Sequence, residues 1–316
     1  MPLGQLQNLL AANGQWLSVR PPRGNDSTLG GIVALNACGP ERLRFGAPRD
    51  LILGLRFVSG KGRVIKAGGK VIKNVAGYDL TRLLTGSAGT LGFLTELTFR
   101  LAPLPELCTA VSAAGSLSDC ANAAVQLLRS RLEPVFVVAV PEQKPDAATW
   151  RLAMGFEGFE VTVRWQVERG LKLLEKAELA RPAAVVYHAY ENPFVQHYCS
   201  LADSAFLLRA DVPLDQTAAL ATSAGSMLEG SNLLTDFGCG RVIAGCSCLG
   251  DEAWPRFCSV ARDRGGHAIL EKAPAGFKQR HDVFGPARPE WKMLHRVKEA
   301  LDPRNIFAPG RMPGRK

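Results

Sequence analysis

The first apolar repeat in the chain, Leu6, Leu9 and Leu10, has helical spacing and stops at Asn13-Gly14, which predicts a short amphipathic helix over 5–16. Residues 51–58 and 63–66 instead alternate about Ser59-Gly60-Lys61-Gly62, the pattern of a β-hairpin whose turn carries no evident chemistry. A short helix over 79–84 leads into Gly86-Ser87-Ala88-Gly89-Thr90, and 91–101 returns as a strand that Ala102-Pro103-Leu104-Pro105 ends. Beyond it the apolar spacing switches repeatedly between the helical and the strand period. That switching predicts helices over 116–131, 165–179, 214–228 and 251–264, and strands near 134–140, 149–156, 183–189, 205–211, 233–237, 241–246 and 267–272. No glycine-rich nucleotide turn joins these strands to these helices, so the region reads as an α+β unit on an antiparallel sheet. The tail is a helix over 289–301 followed by a turn-rich stretch, 302–311.

Composition narrows the class. The 316 residues are 47% hydrophobic and 21% charged, which suits a folded globular chain and excludes wholesale disorder. Apolar runs such as Val135 to Val140 are far shorter than the roughly 18 residues of a membrane-spanning helix. The opening MPLGQLQNLLAANGQW has neither the basic nor the apolar region of a secretory signal, so a cytoplasmic protein is expected. Eight irregularly spaced cysteines fit a reducing compartment better than a disulfide framework. The net charge of +9 is uneven: 13 Lys/Arg face 5 Asp/Glu in residues 1–100 and 14 face 8 in 251–316, leaving an acidic middle. Two basic ends folded together around an anion would account for this, and so would solvated faces arising by chance. Nucleic-acid binding is disfavoured, because aromatics are only 7% and no finger, helix-turn-helix or RNP-like pattern accompanies the basic residues.

Glycine clusters carry the candidate chemistry. In Thr28-Leu29-Gly30-Gly31 two adjacent glycines allow close backbone approach and a hydroxyl precedes them. In GSAGTLG the glycines 86, 89 and 92 recur at intervals of three, and Phe93 opens the strand behind them. Such a loop can turn several backbone N–H groups toward an anion or a heteroaromatic edge, although a plain turn satisfies the same pattern. Its order, helix then loop then strand, differs from a Rossmann fingerprint, and the Walker pattern is absent. Between the clusters, Lys73-Asn74-Val75-Ala76-Gly77-Tyr78-Asp79 reads either as a capping turn or as a ligand-side segment bearing Lys73 and Tyr78. Cys246 and Cys248 would share one strand face, yet the spacing of cysteines and of the five histidines matches no metal site, and no metal is expected. No nucleophile elbow is present. His267, four residues before Glu271, is the best remaining candidate base, and no catalytic residue is assigned.

Taken in order, PPRGNDSTLGG at 21–31, NACGPERLRFGAPRD at 36–50, KNVAGYDLTRLLTGSAGTLGFLTELTFRLAP at 73–103 and ALDPRNIFAPGR at 300–311 resemble the FAD-binding oxidases of the p-cresol methylhydroxylase/vanillyl-alcohol oxidase superfamily, in particular the FAD-binding subunits of bacterial glycolate oxidases. The similarity covers 1 to about 105 well and the tail moderately, and across 106–270 it rests on order and length. It implies a PCMH/VAO-type FAD-binding domain over 1–105, an α+β antiparallel-sheet cap over 106–272 and a C-terminal segment, 273–316, that returns to the FAD domain. It further implies FAD as cofactor, with Thr28, Gly30 and Gly31 at its diphosphate, Gly86, Gly89, Thr90, Gly92 and Phe93 along it, and Lys73 and Tyr78 near it. Family members carry a further Gly-rich subdomain ahead of the segment that Met1 begins, so weakened cofactor binding by the chain alone is expected. Ala308 and Arg311 stand where the family pattern has Asn and Lys, and the metal motif of the related catalytic subunit is absent. The implied function is a flavin subunit that oxidises a small 2-hydroxy acid, glycolate, with a catalytic FAD subunit and an iron–sulfur subunit as partners, held peripherally at the inner membrane through them. A non-catalytic assembly subunit without FAD and an independent FAD oxidase remain alternatives.

Overall fold

The computed structural model describes residues 1–71, 78–142, 149–188 and 193–314. The chain forms two compact units, one of Met1–Gly39, Phe45–Leu104 and Ala287–Lys316, the other of Pro40–Arg44 and Pro105–Pro286.

The first unit opens with helix α1 (Leu3–Ala11) and strand β1 (Gln15–Trp16). The helix expected to reach residue 16 stops early because Trp16, 1% exposed, is drawn into antiparallel pairing of Gln15 and Trp16 with a later strand. Buried Gln7 fixes that junction, donating to Leu17 O at 2.7 Å and accepting from Leu17 N at 3.0 Å, so its amide is not left unpaired in the core. Next come α2 (Leu29–Leu35), the single turns α3 (Arg42–Phe45) and α4 (Pro48–Leu51), the hairpin β2 (Ile52–Val58) and β3 (Val64–Gly68), α5 (Leu80–Leu84), β4 (Phe93–Phe99) and β5 (Ala102–Pro103). The sheet β3-β2-β4 is antiparallel throughout, and β5 pairs with β1. The expected hairpin is therefore present. The turn-rich stretch before residue 36, by contrast, contains a helix, because Thr28 caps it.

The second unit runs β6 (Leu107–Gly115), α6 (Leu117–Leu128), β7 (Phe136–Pro141), β8 (Trp150–Gly158), α7 (Glu160–Lys176), β9 (Ala180–Val186), α8 (Pro193–Leu201), β10 (Phe206–Asp211), α9 (Thr217–Met227), β11 (Asn232–Asp236), β12 (Arg241–Cys246), α10 (Ala253–Asp263), β13 (His267–Lys272) and α11 (Ala275–Arg280). Its eight strands form one sheet in the order β13-β10-β12-β11-β7-β8-β6-β9 with every pairing antiparallel. Alternate residues of these strands, among them Val111, Leu152, Phe156, Leu208 and Val242, are buried in one core with Leu127 of α6, Leu174 of α7, Leu220 of α9 and Phe257 of α10. At roughly 1.5–3 kcal/mol per fully buried large apolar side chain, this shared core is the main stabilising element of the unit. β9 closes one edge and is exposed along nearly all its length, with Arg181 in the left-handed region (φ +52°) and Pro182 beside it. Both features discourage a further strand from pairing there.

Helix α12 (Trp291–Leu301) belongs to the first unit, where Val297 and Leu301 pack against the cluster of Phe57, Leu84 and Leu91. Residues beyond 272 do not all go with it. Ala273–Pro286 stays with the second unit, since Phe277 meets Phe206 edge-on at 5.2 Å and Leu270 N donates to Val283 O at 2.8 Å. Among the described residues no helix is long and apolar enough to cross a membrane.

Candidate functional site

In the first unit the two glycine clusters lie at opposite ends of α2. Thr28 Oγ1 accepts from Gly31 N at 3.2 Å, so the hydroxyl expected at a ligand serves as the helix cap, and Gly30 and Gly31 form the first turn. At the other end Asn36 adopts the left-handed conformation (φ +50°) and its Oδ1 accepts from Arg49 N at 3.0 Å. The loop 86–92 is sewn to that end: Gly86 N donates to Val33 O at 3.0 Å and Ala88 N to Ala34 O at 2.7 Å. Seven residues at 1.5 Å each separate the clusters by about 10 Å, so a group touching both must be extended.

The loop itself is tightly wound. Ser87 N donates to Leu84 O, while Thr90 donates twice to Ser87 O, from N at 3.0 Å and from Oγ1 at 2.6 Å. Four amides are thereby used inside the protein. These four amides hold the turn in shape and tie it to α2, as in the plain-turn reading. Gly86, Ala88 and Gly89 all have positive φ, and Ala88 at +53° is a position where a side chain costs about 1–2 kcal/mol. A methyl group placed on Gly89 or on Gly30 meets no protein atom within 4 Å beyond its own neighbouring backbone, so at both points the main chain borders open space. Gly92 is buried against the Phe57 ring, and Thr90 is buried too. Tyr78 and Phe93 are aromatic rings 95% and 64% exposed. Asp79 caps α5, accepting from Arg82 N at 3.1 Å, and the Thr81 hydroxyl on it holds its carboxyl below the usual range. Lys73 lies outside the described residues.

The second unit contains a polar constellation that sequence spacing hid. On the sheet face opposite α6, α7, α9 and α10, four ionisable side chains stand in one cross-strand row: His267 on β13 is opposite Asp211 on β10, Asp211 opposite Arg241 on β12, and Arg241 opposite Asp236 on β11. Arg241 Nε lies 2.6 Å from Asp211 Oδ1, and His267 Nε2 lies 3.7 Å from Asp211 Oδ2. Arg209, two residues up β10, bridges Asp211 at 3.2 Å and Glu271 at 2.7 Å. Glu271 thus partners Arg209, and His267 partners Asp211, unlike the pairing suggested by their spacing. Burial pushes both row carboxyls up, but Asp211 is carried below its ordinary value by the Arg241 and Arg209 guanidiniums and by His267. For Asp236, which receives Gly238 N at 3.0 Å and a hydrogen bond from the Cys239 thiol, burial wins and raises the carboxyl to about 6. The two arginines are already engaged by carboxylates, so the row is an internally compensated network and no open anion clamp. Cys246 is buried in the core whereas Cys248 lies past the strand end and is exposed, so the two do not share a strand face. No group of three or more metal-ligating side chains is present among the described residues.

The family model described as "FAD binding domain" matches residues 1–68, and that described as "FAD linked oxidases, C-terminal domain" matches 281–312. The chain is 32% identical to the glycolate oxidase subunit GlcE of Escherichia coli (strain K12), over 98% of this chain and 79% of that protein. It is 50% identical over 25% of its length to the glycolate oxidase subunit GlcD of Bacillus subtilis (strain 168), and 38% identical over 35% to a D-lactate dehydrogenase of Archaeoglobus fulgidus. These matches span only 17% and 25% of the two relatives. Among solved structures, alkyldihydroxyacetonephosphate synthase superposes with a TM-score of 0.66 at 16% identity, over 97% of this chain and 62% of that one, which shows the shared fold.

One expectation about stability follows from Asp236. Its folded value is raised, so between about pH 4 and pH 6 the native chain holds a proton that the unfolded chain has lost, and stability falls as pH rises through that window. The full effect is about 3 kcal/mol at 1.36 kcal/mol per pH unit. Asp236→Asn should remove this fall, and urea denaturation of both chains at pH 4.5 and pH 7 measures it; parallel pH profiles would contradict it.

With 32% identity sustained over 98% of this chain and 79% of the E. coli relative, and FAD-oxidase family models matching at both ends, the chain belongs to the glycolate oxidase subunit GlcE family, FAD-dependent oxidoreductase subunits with the FAD-binding PCMH-type fold.

Proposed function

We propose that this chain is the FAD-binding subunit of a complex that oxidises glycolate to glyoxylate, acting with a catalytic FAD subunit and passing electrons to an iron–sulfur subunit. The observation that carries this reading is the 32% identity to GlcE over nearly the whole chain. FAD supplies the redox chemistry, accepting a hydride from an alcohol carbon and handing on electrons, and the protein supplies position and surroundings. The residues present fit such a group. Gly30 would border its diphosphate end and Gly89 would run beneath it about one α2 length away, the two points where the main chain meets open space, while Thr28, Gly31, Gly86, Thr90 and Gly92 would shape the backbone behind them. Tyr78 and Phe93 offer uncovered aromatic faces to a planar ring system.

Gly30 gives a sharper test of this placement than Gly89. A side chain at Gly89 suffers from its φ of +73° whatever lies beside it, whereas Gly30 has helical φ and open space. Gly30→Ala should therefore raise the stability of the apo chain by about 0.5–1 kcal/mol. If the backbone lies against FAD, the same methyl should weaken FAD binding about tenfold or more. Unchanged flavin content in the purified variant, read from its visible spectrum, would remove α2 from the cofactor site.

The chain alone, loaded with FAD, is expected not to reduce a dye with glycolate. Oxidation of a 2-hydroxy acid needs a base near the hydroxyl and a cation for the carboxylate. Arg209 and Arg241 are neutralised by Asp211, Glu271 and Asp236, and His267 stands beside Asp211 at the end of the row. Turnover should appear on adding the catalytic partner; glycolate-dependent dye reduction without it, abolished by His267→Ala, would locate the base in this chain.

A further inference from the structure

The turn 302–307 and the loop 86–92 are far apart in sequence and are joined through one buried ammonium. Lys298, on α12, is 8% exposed and its Nζ has three acceptors: Asp302 Oδ2 at 2.5 Å, Thr90 O at 2.7 Å and Phe307 O at 2.9 Å. An ammonium carries three N–H bonds, so each is satisfied. Asp302, 1% exposed, is held as firmly: its Oδ2 accepts Phe307 N at 2.8 Å and its Oδ1 accepts Ile306 N at 3.1 Å. Burial pushes the Asp302 carboxyl up, and these bonds with that from Lys298 outweigh it and keep it below its ordinary value.

The hairpin turn that carried no evident chemistry is part of the same assembly. Gly60 N donates to Leu301 O at 2.9 Å, and a Cβ on Gly60 would stand 2.4 Å from Asp302 Oδ1 and 2.6 Å from its Cα. Glycine is required there by close approach. The β2–β3 turn thus backs Asp302, Asp302 backs Lys298, and Lys298 holds the carbonyl of Thr90. On its other side the loop is sewn to α2 through Gly86 and Ala88. The inner side of the loop is fixed at three points, while Gly89 borders open space.

We infer that Lys298 is a positioning residue for FAD: its ammonium couples the Asp302–Phe307 turn to Thr90 and so fixes the 86–92 loop in the conformation that receives the cofactor. The inference rests on the FAD reading given above. It assigns a role to the C-terminal segment, and it explains why a charged group is buried at the back of a loop whose front is open. A single acceptor or a surface ion pair would not constrain the loop in this way.

The test compares the full unsubstituted chain with Lys298→Met and Lys298→Arg. Three readouts are taken: equilibrium FAD binding well below the melting temperature, the rise in melting temperature on adding FAD, and amide hydrogen exchange in a peptide covering 86–92. Lys298→Met should weaken FAD binding at least about thirtyfold, shrink the FAD-induced rise and speed exchange in the loop. A residue that merely supports the fold would lower the melting temperature of the apo chain and leave FAD affinity at low temperature unchanged. Lys298→Arg keeps the charge beside Asp302 if the Met variant does not fold, but its planar fork cannot satisfy three convergent acceptors. It should weaken FAD binding about tenfold. Unchanged affinity in either folded variant overturns the inference while leaving the FAD reading intact. Absence of FAD binding by the unsubstituted chain overturns both.

Discussion

Burying an ammonium costs several kcal/mol unless its protons and its charge are met in place, and the first unit is arranged around meeting those of Lys298. Three separate stretches, the loop 86–92, the turn 302–307 and the β2–β3 hairpin, converge on the Lys298–Asp302 pair, and together they leave neither buried charge without partners. The apolar contacts of Val297 and Leu301 with Phe57, Leu84 and Leu91 bring α12 to the right place, and the polar junction then fixes the register. Packing supplies most of the stabilisation in such a unit, whereas the buried pair determines which of many similar packings is adopted.

The second unit uses charge differently. Its sheet has one face, apolar but for buried residues such as Thr109 and Thr235, under four helices, and another that carries the ionisable row His267, Asp211, Arg241 and Asp236 in one register line. Alternation of sign makes burial of the row tolerable. Arg241 sits between two carboxyls whose proton affinities the surroundings drive apart, one down and one up. Two carboxyls on strands flanking the same arginine therefore do different things, which follows from Asp236 being fully enclosed and Asp211 having a second arginine.

Where local spacing and burial agreed, the sequence was a good guide: the 52–58 and 64–68 hairpin, the helices at 117–128, 253–263 and 291–301, and six of the seven strands from 136 to 272 lie close to their expected places, β9 at 180–186 starting three residues ahead of the expected 183–189. Strand β6 was not anticipated because Leu107–Gly115 is rich in alanine and buried on both faces, so it lacks alternation and has only Thr109 and Val111 as branched residues to mark it. Helix α2 was obscured by the glycines of its own first turn. At the candidate site the glycine loop was legible as a motif, but the spending of its amides on α2 and on Ser87 was not. Neither Lys298 nor the row on the sheet face had a local signal, since both arise from residues that only tertiary pairing brings together. His267 was noticed, but with the wrong carboxylate, because proximity along a strand suggested Glu271 and the neighbouring strand supplied Asp211.

Neither unit is a continuous piece of chain. Residues 40–44 are contributed to the second unit from within the first, and residues 287–316 return to the first after the second is complete. On a ribosome, then, Thr90 emerges 208 residues before the lysine that will hold it. At 5–20 residues per second that interval is about 10–40 s. Throughout it the loop 86–92 has its attachment to α2 and lacks its ammonium, while the whole eight-stranded sheet is synthesised. The loop 86–92 is therefore made well before the residue that completes its anchorage, and its finished conformation waits on α12.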